Sequence, residues 1–118
     1  MKADVKELVV KLTDRKIVHS VYDGTPTLQV SGGIYYNLIN LDEGIWLVTF
    51  TCFAYNTEVV ICYGNTVNNI VTESGSGSYQ LGNSGAGIVQ LTQPTTIQMY
   101  CTNNANLYRF KAEAFKLA

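Results

Sequence analysis

The sequence predicts an all-β protein, an antiparallel sandwich or barrel of eight to ten strands. Apolar and β-branched runs recur about every ten residues, separated by Gly, Asn, Asp and Ser clusters. No such run alternates with a helical stretch, which excludes a parallel α/β sheet. Ten glycines, eight tyrosines and only two prolines suit strands and turns in a folded chain.

In order along the chain, residues 1–16 form an N-terminal stub ahead of a head domain over 17–118. Val5, Leu8, Val9 and Leu12 recur at helical spacing with charges opposite, the stripe of a short amphipathic helix. Three such helices side by side could make a coiled-coil stub. Leu8, Val10 and Leu12 also alternate as a strand would. From Lys16 to Tyr22 the pattern is strand-like, and Asp23-Gly24-Thr25-Pro26 is a turn cluster. Leu28–Val30 is a short strand broken by Ser31-Gly32-Gly33. Ile34–Leu41 is the next strand, with Asp42-Glu43-Gly44 as its turn. Ile45–Tyr55 is the strongest strand: Trp46, Val48, Phe50, Cys52 and Ala54 make one continuous apolar face. Its other face is mixed, so both faces are expected to be covered. Asn56-Thr57 then predicts a hairpin to Glu58–Gly64, and Thr66–Thr72 is a further strand candidate. Residues 73–87 hold five glycines and four serines, a composition that argues against a regular element outside Ser78–Leu81. Ile88–Thr92, Thr95–Thr102 and Ala105–Leu117 complete the strands, with Asn103-Asn104 as the last turn. In the final strand Tyr108, Phe110, Ala112 and Ala114 are expected on one face, and Leu107, Arg109, Lys111 and Glu113 on the other.

Charge is scarce and unevenly placed. Only 14% of residues are charged, against roughly 25% in an ordinary soluble domain. Eight of the 17 charged side chains fall in residues 1–16, and from Ile17 to Tyr108 there is no Lys or Arg. A nucleic-acid partner needs cations to neutralise phosphates, so this class is excluded as the main ligand. No apolar run reaches the roughly 18 residues of a membrane-spanning helix, and no signal-peptide stretch follows Lys2. Either Asn, Thr, Ser and Gln solvate the body, or copies of the chain cover part of it, as in obligate homo-oligomers. The second is the expectation.

The order of elements adds a resemblance. The turn at Gly44, the strand Ile45–Tyr55, a hairpin, the Gly/Ser-rich loop, the strand pair Gly87–Gln93 and Thr95–Thr102, and a terminal strand resemble one known class. They are similar to the trimeric jelly-roll heads of the tumour necrosis factor-like and complement-type globular superfamily. Within it they are most similar to the small heads of bacteriophage tail fibres and other virion spikes. The resemblance covers roughly Ile34–Ala118 and rests on strand pattern alone. It implies an antiparallel jelly-roll sandwich, a homotrimer, and attachment or structural display on a virion made in the host cytoplasm. Other virion proteins would be met through the N-terminus.

Catalytic and metal chemistry find little support in the residues. The chain has one histidine, His19, and Cys52, Cys62 and Cys101 lie at least ten residues apart inside apolar strands. Structural zinc commonly needs four ligands including a close pair. The cysteines read as buried, reduced thiols, although Cys52 and Cys62 could face each other across the predicted hairpin. His19 lies mid-strand without a nucleophile beside it in sequence, and Asp42-Glu43 read as solvated turn residues. The loop at 74–87 lacks the Gly-Lys-Ser/Thr ending of a phosphate-binding loop. No enzyme activity, cofactor or metal is expected.

What remains for binding is polar and aromatic, the chemistry that holds saccharides in shallow pockets. The candidate ligand-binding residues are Tyr63, Asn65, Asn68 and Asn69 in one loop, Tyr79 in the Gly/Ser-rich segment, and Asn103, Asn104 and Asn106 near the last turn. Asn and Gly are equally the ordinary residues of turns. Trp46 is assigned to the core. The leading expectation is a non-enzymatic homotrimeric attachment head whose candidate ligand is a host cell-surface glycan. The alternatives are a purely structural virion component and a monomeric carbohydrate-binding module.

Overall fold

A computed structural model describes residues 18–74 and 82–118. They form nine strands: β1 (His19–Asp23), β2 (Thr27–Val30), β3 (Tyr35–Leu41), β4 (Gly44–Ala54), β5 (Val59–Tyr63), β6 (Thr66–Ser74), β7 (Asn83–Leu91), β8 (Thr95–Cys101) and β9 (Ala105–Lys116). No helix occurs among the described residues. The expected helical stub and the candidate strand at 78–81 lie outside them. One sheet has the order β1-β9-β4-β7, with β2 also pairing β9; the other has the order β3-β8-β5-β6. All pairings are antiparallel. With β1 and β2 counted as one interrupted edge, this order is the double Greek key of a jelly roll.

The core lies between the sheets and is built by alternation. Trp46, Val48, Phe50, Cys52 and Ala54 of β4 all point inward and are buried, as their even spacing requires. They pack with Phe110 and Leu107 of β9 and with Ile61, Ile97 and Met99 of the opposite sheet. Burial of side chains this large is worth roughly 1.5–3 kcal/mol each.

Three sequence expectations are corrected. First, β4 and β5 are not a hairpin: β4 pairs with β7 and β9, whereas β5 pairs with β6 and β8 in the other sheet. The connection crosses between layers and is stapled to the β8–β9 turn around buried Thr57. Its hydroxyl donates to the Asn103 carbonyl at 3.3 Å and accepts from the Asn103 N–H at 3.1 Å. Cys52 and Cys62 thus belong to different sheets, and all three cysteines are free thiols.

Second, β7 begins at Asn83, so Asn83–Gly87 is strand despite its glycines. Gly85 and Gly87 sit where β6 closes onto β7. A Cβ at Gly87 would fall 2.0 Å from the Val71 carbonyl oxygen, and one at Gly85 would fall 2.4 Å from Thr72 Oγ1. Glycine in a strand marks such a close backbone approach.

Third, the alternation in β9 breaks. Arg109 has φ 56°, and two steps along β4 (Thr51 to Phe53) face three along β9 (Lys111 to Tyr108). This bulge puts Leu107 inside with Phe110, Ala112 and Ala114, and turns Tyr108 outward.

Candidate functional site

The outward side of the β1-β9-β4-β7 sheet follows directly from these registers. Across it, His19, Phe115, Leu47 and Ile88 form one row, and Val21, Glu113, Thr49 and Ala86 the next. Asp23, Lys111, Thr51 and Ser84 form a third, and Tyr108 and Phe53 lie beyond the bulge. Ile88 is 65% exposed, and Val21, Phe53 and Tyr108 are exposed as well. Glu113 and Asp23 on this face have partners within the chain, and the Arg109 guanidinium lies 6.0 Å from the centre of the Phe53 ring. Glu113 accepts from His19 Nε2 at 2.8 Å and lies 3.7 Å from Lys111 Nζ. The His19 ring stacks on Phe115 with centroids 4.4 Å apart. Asp23 accepts from the Thr25 N–H at 2.9 Å. Hydrogen bonds from the Thr25 hydroxyl and N–H hold the Asp23 carboxyl below its ordinary range. Covering this face would bury apolar side chains, and the pairing of its ions within the chain offsets part of their desolvation cost.

The other outward side is made differently. On the β3-β8-β5-β6 sheet, Asn37, Gln98, Cys62 and Ile70 form one row, and Tyr35, Tyr100, Val60 and Glu73 the next. Val60 and Cys62 are buried although they point away from the inter-sheet core. The chain following β5 turns back over this side of the sheet. The Val67 N–H donates to the Tyr35 hydroxyl at 3.1 Å, which carries residues 65–69 across β5 and β8 toward β3. Burial pushes the Cys62 thiol up to about 11, while Cys52 is pushed up to about 12 and Cys101 to about 11 in the core.

Between this segment and the β7–β8 turn lies a cleft of about 580 Å³. Gly64 (φ 75°) and Asn65 (φ 54°) form a two-residue turn with both central residues left-handed, which joins Tyr63 to Thr66. Asn65 is thereby placed over Gln98, whose Nε2 donates to Asn37 Oδ1 at 2.9 Å and Asn65 Oδ1 at 2.7 Å. Asn69 Nδ2 donates to the Tyr63 carbonyl at 3.2 Å.

Of the eight candidate residues, Tyr63, Asn65 and Asn69 line this cleft. Asn68 is exposed and outside its lining, and its N–H donates to Thr66 Oγ1 at 3.1 Å. Asn103 and Asn104 belong to the opposite end of the sandwich and hold turns together. Asn103 Nδ2 donates to the Asn56 carbonyl at 2.8 Å, and Asn104 Oδ1 accepts from the Gly32 N–H at 2.8 Å. Asn106 pairs with Gln29 on the β2–β9 edge. Tyr79 lies outside the described residues. Sequence reasoning missed Asn37 and Gln98, which sit inside apolar strands. The available signal was an amide in the middle of Thr95–Cys101, at a position where the alternation points it outward. Trp46 is a core residue whose indole N–H donates to the Asp42 carbonyl at 2.9 Å. Among the described residues no three His, Cys, Asp or Glu side chains gather closely enough to hold a metal ion.

No protein-family model and no curated protein matches this chain. Among solved structures, it is similar to a chain from the acid-stable capsid of Helicobacter pylori bacteriophage KHP30. The two share 16% identity at a TM-score of 0.56, over 86% of this chain and 92% of that one. At that identity the likeness is one of fold.

Proposed function

We propose that this chain is a non-enzymatic structural component of a bacteriophage particle, a jelly-roll head that associates as a homotrimer. The observation that carries the reading is the outward face of the β1-β9-β4-β7 sheet. Leu47, Ile88 and Phe115 form an apolar row there, in a body whose residues 17–108 contain no Lys or Arg. Three copies that turn this face to a common axis would bury the row and leave the amide-rich faces in water. The shared fold with a phage capsid chain supports the particle setting. The finer role is attachment to the host, with the chain's start leading toward the particle. A second reading, a decoration piece of the shell without a ligand, is favoured by the capsid origin of the structural neighbour.

The test is the mass in solution by light scattering during size-exclusion chromatography. The expected value is about three times the 13.0 kDa chain mass. A species at 13.0 kDa at every concentration overturns the proposal and promotes a monomeric binding module.

A further inference from the structure

The orientation of the cleft's amides follows from one backbone bond. The Asn65 N–H donates to Gln98 Oε1 at 2.9 Å. A backbone N–H can only donate, so this contact identifies the oxygen end of the Gln98 amide. The other end is then NH2, and its two hydrogens go to Asn37 Oδ1 and Asn65 Oδ1. Both asparagine carbonyls are therefore turned to Gln98, which is only 6% exposed. The NH2 group of each is the end left for a cleft occupant, and neither has a partner among the described residues. Asn69, whose NH2 is spent on the Tyr63 carbonyl, offers its oxygen instead. The facing wall is Thr92 to Thr96.

The cleft thus presents two held donors, an acceptor and threonine hydroxyls, and its described lining includes no Lys, Arg, Asp or Glu. An anion would find no cation there, and an apolar ligand would leave the fixed amides unpaired. A volume of about 580 Å³ lies within the usual range for small-ligand sites. We propose that this cleft binds a neutral saccharide, with Asn37 and Asn65 donating to its oxygens and Asn69 accepting from a hydroxyl. The inference rests on the attachment reading for the source of the saccharide. The cleft lies at one end of the sandwich, between the β5–β6 turn, β8 and the end of β7 with its turn into β8.

The test is a printed array of neutral, sialylated and sulfated oligosaccharides, probed with the full chain and with Asn37→Asp and Asn65→Asp. Each variant keeps a carboxylate oxygen for Gln98 and deletes the NH2. Unchanged thermal unfolding checks that the fold persists. Neutral oligosaccharides are expected to be captured, with the signal about tenfold lower in each variant, the loss of one good hydrogen bond. Capture unchanged in both variants, capture of acidic oligosaccharides only, or no capture overturns the proposal. If a variant does not fold, the side-chain amide NMR signals of Asn37 and Asn65 in the wild-type chain decide. They must shift on titration with the captured saccharide, and static signals overturn the site. A trimer that captures nothing leaves the head reading standing and removes this one; a monomer that captures neutral saccharides does the reverse.

Discussion

On the four-stranded sheet, Val60 and Cys62 point outward yet are buried, and the chain after β5 folds back over that side. On the five-stranded sheet, Leu47, Ile88 and Phe115 also point outward, and Ile88 remains 65% exposed. Apolar residues on the first face meet a local solution, a bulged strand start pinned by Tyr35 and Gln98. Those on the second have no such cover among the described residues, and a sister copy is the cover we propose. The difference teaches that an apolar outward row is no packing error in itself. Its meaning depends on whether its own chain reaches back across it.

The largest expected effect breaks this contrast outright. Ile88→Asp places a carboxylate on the β7 side of the face assigned to association, and an unpaired buried charge costs about 3–5 kcal/mol. The variant should run as a folded species at 13.0 kDa by light scattering, whereas the same change at Ile70, on the other sheet, should leave the mass unaltered.

Alkaline pH probes both covered regions of a single copy at once. The thiols of Cys52, Cys62 and Cys101 are raised from 9.0 to about 12, 11 and 11. Raised acids favour the folded state fully below the unfolded value and lose that contribution as pH climbs from 9.0 toward the folded values. Urea unfolding should therefore show stability falling by about 1.4 kcal/mol per thiol between pH 8 and pH 10. Native thiols should be silent to a thiol reagent at pH 8 and react on unfolding.

Gly87→Ala tests the seam where the two sheets meet. The new methyl group would collide with the Val71 carbonyl, at a cost of about 3 kcal/mol, read as a lower midpoint in urea. Gln98→Ala is milder and more local. It strands the Asn65 N–H and frees both asparagine carbonyls, for about 1–3 kcal/mol, and it should speed thiol labelling of Cys62 ahead of Cys52 and Cys101. Equal acceleration at all three would mean that the segment over the four-stranded sheet is not held there by Gln98.

Much of the fold was legible where a residue's neighbours in sequence decide its place. The alternation of Trp46 through Ala54 predicted the buried face of β4, since a strand's side-chain period is two whatever it pairs with. The β4–β5 connection was misread because a two-residue Asn-Thr link looks the same in an in-sheet hairpin and in a crossing between layers. What decides is Thr57 meeting Asn103, a contact 46 residues distant. The start of β7 was misread because its glycines report on β6 above them. The face of Leu107 was misread because one left-handed residue, Arg109, resets the alternation. In the cleft, Asn65 and Asn69 were found from turn chemistry. Asn37 and Gln98 were hidden by strand context, because their role exists only once β3, β8 and the β5–β6 turn converge.

The most direct check on the account is a footprint of the two faces in the assembled protein. Ala86→Cys puts a reactive thiol on the outward face of β7, and Asn40→Cys puts one on the outward face of β3, in a chain whose native thiols are buried. At micromolar concentration the β3 thiol should be labelled rapidly and the β7 thiol slowly, with the β7 rate rising on dilution as copies separate. Equal rates at every concentration would contradict the claim that sister copies cover the five-stranded sheet.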